Sequence, residues 1–324
     1  MEKIHIVLAS DENYIQHAAV TITSVLVNKA SPYKVIVHFI GGGISPKSLT
    51  LLEQCATKYG AEFVYHQIND KVFEDFYVSR HITKAAYYRL MIPMILDSTL
   101  EKAIYLDTDM IVRHDIGELW ETDIRDYFLG AVLDKRLNEK RSLISHLEMP
   151  PNEPYFNSGL LLMNLVKWRE HQISEKAIQY IYSHGDLPFH DQDALNGVLW
   201  GKWYPLDSKW NVITALFQQY YELNRKTLLS LEQLEAVKDP YIVHFTGRVK
   251  PWHFACAIPY TQDYYKYLRM TPWKDYRPTD INLLKGFGRR MEWIPGLRHI
   301  VLGSKRFERR MRWILKRAIG RFIV

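Results

Sequence analysis

Cysteine is nearly absent: the chain of 324 residues has two, Cys55 and Cys256, in no CxxC spacing. That excludes a disulfide framework and a thiolate zinc site, and it suits a reducing compartment. No apolar run approaches the roughly 18–20 residues that a membrane-spanning helix needs. The opening Met1–Leu8 is too short in its apolar part for a signal peptide and reads as a strand. There is no GxGxxG and no GxxxxGK[ST], so neither the dinucleotide fingerprint nor the P-loop is present. Gly41-Gly42-Gly43 lacks a following Lys-Ser/Thr and reads as a plain turn. Repeats and low-complexity linkers are missing as well. What is there is an ordinary globular composition, 47% hydrophobic and 24% charged, with aromatic residues high at 13%. The length fits two domains at about 150 residues each, or one α/β domain with an appendage.

Charge is unevenly spread. Residues 285–324 hold 12 Lys and Arg against 2 Asp and Glu, which leaves 30 against 34 for residues 1–284. The chain is a mildly acidic body, net −4, with a basic tail, net +10, inside an overall charge of +6. An anionic surface is the expected partner of the tail alone.

The first half alternates strand and helix patterns. Strands are expected at Ile4–Ala9, Tyr33–Ile40, Glu62–His66 and Ala103–Leu106. Helices are expected at His17–Asn28, from Ser45-Pro46 to Gly60, and near Thr83–Leu96. Beyond residue 110 the pattern is less regular: strands at Gly130–Leu133, Ser158–Leu165 and Tyr241–Phe245, helices at Trp168–Tyr182 and Asp191–Leu199. Such alternation predicts a mainly parallel sheet with helices on both faces. Ligands then bind beyond the carboxyl ends of the strands.

Three places carry chemistry. Asp107-Thr108-Asp109 follows the apolar run Ile104-Tyr105-Leu106, and i, i+2 spacing on an extended chain puts both carboxylates on one side. The pair is either solvated turn aspartates or a site for a hard divalent metal completed by substrate phosphates. His244 ends a short strand and is either a satisfied core histidine or a third ligand, since imidazole with two carboxylates is a common set for Mn²⁺. Gly247 after it permits close backbone approach, and Lys250 offers positive charge for phosphate. At the amino end, Ala9-Ser10-Asp11-Glu12-Asn13-Tyr14 clusters acid, amide and ring in the first strand–helix loop.

Asp107-Thr108-Asp109, Phe156-Asn157-Ser158-Gly159, His190-Asp191-Gln192-Asp193 and His244-Phe245-Thr246-Gly247-Arg248-Val249-Lys250-Pro251-Trp252, in this order, resemble the retaining family 8 glycosyltransferases. The nearest in pattern are bacterial lipopolysaccharide α-galactosyl- and α-glucosyltransferases and the general stress protein A type. The resemblance covers residues 1–265 and implies a GT-A fold binding a UDP-sugar with Mn²⁺, Mg²⁺ being a possible substitute. It implies that Asp107, Asp109 and His244 hold the metal. Ala9, Asp11, Asn13 and Tyr14 would hold uridine, Tyr14 stacking on uracil and Asp11 reading its edge. Thr108 would lie against the ribose through its backbone, and Gly247 and Lys250 would meet the diphosphate. His81 matches an acceptor-side position and Arg89 a donor-sugar position; Asp134, Asn157, Asp191 and Gln192 match residues around the transferred hexose.

The residues themselves leave some of these roles open. Arg89 is a core ion-pair arginine or a donor clamp. Asp191 is an N-cap or a sugar ligand, or both. Gln192 is neutral and cannot be a strong nucleophile, whereas a retaining glycosidase needs two carboxyls about 5 Å apart. A front-face substitution, with a phosphate oxygen taking the acceptor's proton, is the more plausible route.

In the tail, Phe307, Met311, Ile314, Leu315, Ala318 and Phe322 form one helical stripe flanked by seven Arg and Lys between Arg306 and Arg321. With Trp313, this reads as an interfacial anchor on anionic lipid or a helix packed on its own body. The expected organisation is a catalytic domain at 1–265, a connecting segment at 266–284 and a membrane-association tail at 285–324. The chain is expected in the cytoplasm, peripheral on the inner face of the plasma membrane, with a UDP-hexose donor, a saccharide or glycolipid acceptor such as lipopolysaccharide core, and no nucleic acid. The competing readings are a non-catalytic or self-glycosylating UDP-sugar-binding protein and a DxD phosphohydrolase. The last is disfavoured because Asp109 is followed by Met110-Ile111 rather than Gly-Thr/Val.

Overall fold

The computed structural model describes residues 2–69, 76, 84–150, 152–221, 229–254 and 256–281. Its strands follow in chain order as β1 (Lys3–Ser10), β2 (Lys34–Gly41), β3 (Glu62–Gln67), β4 (Lys102–Leu106), β5 (Met110–Val112), β6 (Leu129–Leu133), β7 (Phe156–Asn164), β8 (Trp203–Pro205), β9 (Val212–Ile213) and β10 (Ile242–His244). Seven of them form one sheet, in the order β3-β2-β1-β4-β7-β6-β8, and the other three a small sheet, β5-β10-β9. β1, β2, β3 and β4 pair in parallel, while β7 runs antiparallel to β4 and β6. Apolar clusters cover the sheet on both faces: Val7, Ala9, Tyr105 and Leu161 point into one, and Ile6, Leu8, Ile104 and Leu162 into the other. This is the period-2 alternation of strands buried on both sides.

The antiparallel β7 decides where the site can form. β1, β2 and β4 end at the same edge, and β7 begins there, with Leu106 opposite Leu160. The Asp107 amide donates to the Gly159 carbonyl at 2.8 Å. The ends of two strands and the start of a third therefore deliver their polar residues to one place. The small sheet completes it, since β10 pairs with β5 and sets His244 opposite Met110, next to Asp109.

Two expected helices differ. The segment near Thr83–Leu96 is a 3₁₀ helix at Lys84–Met91 followed by one α-helical turn at Ile92–Ile95. Pro93 has no N–H to give the Arg89 carbonyl, so a single α-helix cannot run through it. Trp168–Tyr182 divides into Leu165–Glu170 and Ile173–His184, with Gln172 left-handed between them at φ 53°. β5, β8 and β9 are two or three residues long, too short to show a period. The helix Thr261–Leu268 spans residue 265, and Trp273 packs against two of the apolar clusters, so chain beyond 265 is built into the body. His81 and residues 285–324 lie outside the described residues.

A row of imidazoles crosses β1, β2 and β3. His5 Nδ1 lies 3.0 Å from His38 Nε2, and His38 Nδ1 lies 3.0 Å from His66 Nε2. Burial first, and then its two histidine neighbours, push the His38 imidazole down to about 3. A histidine held neutral in the fold takes up its proton on unfolding, so its contribution is complete above pH 6.5 and is lost as pH falls toward 3. His38→Leu should flatten this acid limb, losing about 3 kcal/mol less than the parent between pH 7 and pH 4, because each tenfold difference in proton affinity between the folded and unfolded chain is worth about 1.4 kcal/mol. Urea titrations at the two pH values check it; parallel losses in both proteins would contradict it.

Candidate active site

A cavity of about 500 Å³ opens at the carboxyl edge of the sheet. Its walls include Ala9, Asp11, Tyr14, Arg89, Asp107, Thr108, Asp109, Asn157, Asp191, Gln192, His244, Gly247 and Lys250. Thirteen residues singled out from the sequence are thus gathered around one space, although 241 positions separate Ala9 from Lys250. Asn13 is exposed and outside this lining; its amide donates to Asp11 Oδ1 at 2.9 Å, capping the turn that carries Tyr14. Asp134 lies in an adjoining chamber of about 420 Å³ that shares Asn157, Gln192 and Gly247 with the first.

Asp107 and Asp109 do not sit on an extended strand. Thr108 and Asp109 form a turn between β4 and β5, and the turn brings the two carboxylates together. The helix Ile15–Val27 supports it from below: the Thr21 hydroxyl lies 3.1 Å from the Thr108 carbonyl and 2.9 Å from that of Met110. Ligand atoms of Asp107, Asp109 and His244 all lie within 4.8 Å of one another. His244 Nε2 is 3.2 Å from Asp109 Oδ1 and 3.7 Å from Asp107 Oδ2.

Backbone amides fix which way this cluster is wired. The Gly159 amide donates to Asn157 Oδ1 at 3.1 Å, so that atom is an acceptor. Asn211 Nδ2 donates to the same oxygen at 2.9 Å, which leaves Asn211 Oδ1 to accept from His244 Nδ1 at 3.0 Å. His244 therefore donates from Nδ1 to Asn211, and its Nε2, the nitrogen left to act as a ligand, faces two carboxylates. Asp109 Oδ1 is buried with no hydrogen-bond partner. Two carboxylates and an imidazole nitrogen facing one point call for positive charge between them, and this donor set suits Mn²⁺ or Mg²⁺. The second Asp109 oxygen pairs with the Lys250 ammonium, which also donates to the Phe245 carbonyl at 2.9 Å. Burial works against a charge on Asp109, yet the Lys250 ammonium holds its carboxyl well below the usual range.

A second network lies beside the cradle. The buried Arg89 guanidinium reaches Asp107 Oδ1 at 2.9 Å, Asp191 Oδ2 at 3.1 Å and the Ser158 carbonyl at 2.6 Å. It stacks on Tyr105, whose hydroxyl donates to Asp107 at 2.7 Å. So Arg89 is a core ion-pair arginine and a wall of the cavity at once. Asp191 is not an N-cap. His190 takes that position, at φ 54°, and no side chain caps the helix Asp191–Leu199. The Asp191 side chain, at the first helical residue, accepts from the Ser158 hydroxyl at 2.9 Å. Burial, relieved in part by Arg89, pushes the Asp191 carboxyl up to about 6. Gln192 Oε1 accepts from the Ser158 amide and from Asn157 Nδ2, both at 3.0 Å. Its lone pairs are committed, so the amide is held as a wall and not as an attacking group. Asp134 accepts from the Leu137 amide at 3.1 Å and from Asn157 at 3.2 Å, and burial raises its carboxyl.

At the far end, Tyr14 meets His17 and Trp252 edge-on, at interplanar angles of 77° and 87°. His17 stacks flat on Trp252 and its Nδ1 lies 2.7 Å from the Tyr264 hydroxyl. The Tyr14 ring is thus braced from behind by buried aromatics. Gly247 is needed for its backbone, not for close approach: φ is 87° and nothing lies within 4 Å of an added Cβ. Gly159 is the opposite case, since an added Cβ would fall 2.3 Å from His244 Cε1 and 2.8 Å from Asp107 Oδ2. His17, Tyr105, Ser158 and Asn211 escaped the sequence reading. Ser158 had a signal inside the Asn157-Ser158-Gly159 motif. Asn211 had none, because only the pairing of β9 with β10 brings it to His244.

Comparison with known proteins agrees with this geometry. The profile of glycosyl transferase family 8 matches residues 5–256. General stress protein A of Bacillus subtilis (strain 168) is 37% identical over 289 residues, 87% of this chain and 98% of that protein. The lipopolysaccharide 1,2-glucosyltransferase of Escherichia coli (strain K12) is 27% identical over 307 residues, 93% of this chain and 88% of its own. The crystal structure of the galactosyltransferase LgtC in complex with donor and acceptor sugar analogs is similar with a TM-score of 0.73 at 26% identity, covering 83% of this chain and 96% of that one. The architecture is the GT-A fold of LgtC, with its mostly parallel central sheet. The matching profile and a relative this similar along nearly its whole length show that the chain belongs to glycosyl transferase family 8.

Proposed function

We propose that this glycosyltransferase moves galactose or glucose from a UDP-sugar to a saccharide or glycolipid acceptor such as lipopolysaccharide core, with retention of the α configuration and with Mn²⁺ bound. The observation that carries this reading is the pre-wired cradle of Asp107, Asp109 and His244 on the wall of a 500 Å³ cavity, with an orphaned Asp109 oxygen and the braced Tyr14 ring in the same wall. Uridine would stack on Tyr14, with Asp11 at the base edge, Ala9 beside it and the Thr108 backbone toward the ribose. Asp107, Asp109 and His244 would hold the metal. Gly247 and Lys250 would meet the diphosphate, Lys250 leaving Asp109 to do so. A bound divalent cation supplies charge neutralisation for the departing UDP.

Around the hexose, Arg89, Asp191, Asp134, Asn157 and Gln192 would hold hydroxyls in fixed directions. Asp191 is tied to Arg89 and Ser158, and Gln192 has both lone pairs engaged. That favours a front-face substitution in which the acceptor hydroxyl loses its proton to a phosphate oxygen of the leaving group. The chain's part is to orient the two sugars and exclude water. UDP released from a panel of UDP-hexoses, with the anomeric coupling of the product read by NMR, tests this. UDP-galactose or UDP-glucose should lead and the product should be α; a β product would refute retention.

The basic tail belongs to the same reading as an anchor to anionic lipid. Among the described residues no helix is long and apolar enough to cross a membrane. Deleting 285–324 changes the net charge from +6 to −4, so co-sedimentation with anionic liposomes should be lost. Binding by the full chain should weaken with salt, as the screening length shrinks from about 10 Å at 0.1 M toward 3 Å at 1 M. Transfer to a short soluble acceptor should survive the deletion. Equal liposome binding by both proteins would mean that the tail is no anchor.

A further inference from the structure

The adjoining chamber of about 420 Å³ opens from the first at Asn157 and Gln192. It lies on the side where the proposed donor would present its hexose, away from Tyr14. Its wall mixes apolar groups, Phe189, Ile213 and Ile258, with two guanidinium groups, Arg136 and Arg248. Both arginines are exposed, and among the described residues neither guanidinium has a close ion pair or a hydrogen bond. Their contrast with Arg89, Arg113 and Arg169, each tied to carboxylates or carbonyls, shows how this chain holds an arginine that serves structure. Among the described residues, the one carboxylate in the chamber wall is Asp134. It is turned inward to the Leu137 amide and Asn157 and makes no close ion pair with either guanidinium, although the charge of Arg136 acts on it from a distance.

We infer that this chamber takes an acceptor saccharide bearing an anionic group, phosphate or carboxylate, read by Arg136 and Arg248. A guanidinium presents paired donors that match both oxyanions, and the apolar wall would cover a sugar face. The inference rests on the proposed transfer for calling the ligand an acceptor, but the binding it requires does not. Arg248 lines both chambers and Arg136 only this one, so Arg136 separates the acceptor from the donor diphosphate.

The test is direct binding to the full chain with UDP present. The probes are galactose 6-phosphate, glucose 6-phosphate, galacturonate and glucuronate, each against its neutral parent sugar. At least one charged probe should bind tenfold or more tightly than its parent, and added salt should reduce that ratio. Arg136→Gln should collapse the ratio toward one, since a hydrogen bond to a charged group is worth about 1.5–3 kcal/mol, roughly a tenfold to hundredfold change. UDP affinity is titrated alongside as the donor-side control. Phosphates alone, or uronates alone, showing the preference would name the anion. Equal affinity for every charged probe and its parent, or a ratio unchanged in both Arg136→Gln and Arg248→Gln, would overturn the inference. Charged-probe preference without UDP-sugar turnover would instead count against the proposed function and leave this binding site standing.

Discussion

Asp109→Asn is expected to lower kcat by about a thousandfold while the protein remains folded. Asp109 offers the one orphaned carboxylate oxygen in the cradle, and an amide is a far poorer ligand for a hard divalent ion. Losing several kcal/mol of charge stabilisation, about 4, corresponds to roughly three decades in rate. The substitution also removes the counter-charge of Lys250, which keeps the Phe245 carbonyl, so a stability loss of about 1–3 kcal/mol is expected from the uncompensated ammonium. Mn²⁺ titration and kcat, followed with thermal unfolding of the same sample, check both parts. A variant with wild-type turnover, or one that is inactive because it is unfolded, would each contradict the assignment.

Gly159→Ala is expected to weaken Mn²⁺ binding by about a hundredfold without touching a ligand. The new methyl would sit 2.3 Å from the His244 ring and 2.8 Å from Asp107 Oδ2. Neither side can give way freely. Asn211 pins His244 from behind, and the Gly159 backbone is tied to the Asp107 amide at 2.8 Å within the β4–β7 pairing. The ring must turn or the strands must part, and either opens the cradle. Losses of 10–100-fold in metal affinity are typical when the groups that orient a ligand are disturbed; direct intrusion belongs at the upper end. Overpacking should cost about 1–3 kcal/mol of stability. Calorimetric titration with Mn²⁺ separates the two effects, and wild-type metal affinity in this variant would show that His244 is not a ligand.

The parts of the fold that were legible in sequence are those with a long period. Eight-residue strands such as β1 and β2 show their Val and Ile runs, and Ser45-Pro46 announces a helix start that the structure keeps, with the Ser45 hydroxyl accepting from the Ser48 amide. Motifs on single segments were legible too: Asp107 and Asp109, and the stretch from His244 to Lys250. What the sequence could not show were consequences of pairing between distant segments. The antiparallel run of β7 puts Asn157, Ser158 and Gly159 at the site by their start instead of their end. The short β9 brings Asn211 to His244 across 33 residues. In sequence, Asp191 before an apolar run leaves a cap and a sugar ligand both open. Only the position of Arg89 and Ser158 shows that its oxygens are engaged sideways, across the cavity.

The most direct measurement is UDP formation from UDP-galactose and UDP-glucose by the full chain without acceptor, in Mn²⁺ and then in excess chelator. The expected result is slow UDP release from one or both donors in Mn²⁺, its loss in chelator and its return when Mn²⁺ or Mg²⁺ is restored, with Asp109→Asn silent throughout. UDP release at the same rate in chelator, or none from either donor with metal present, would contradict the assignment of Asp107, Asp109 and His244 as the centre of a metal-dependent sugar transfer.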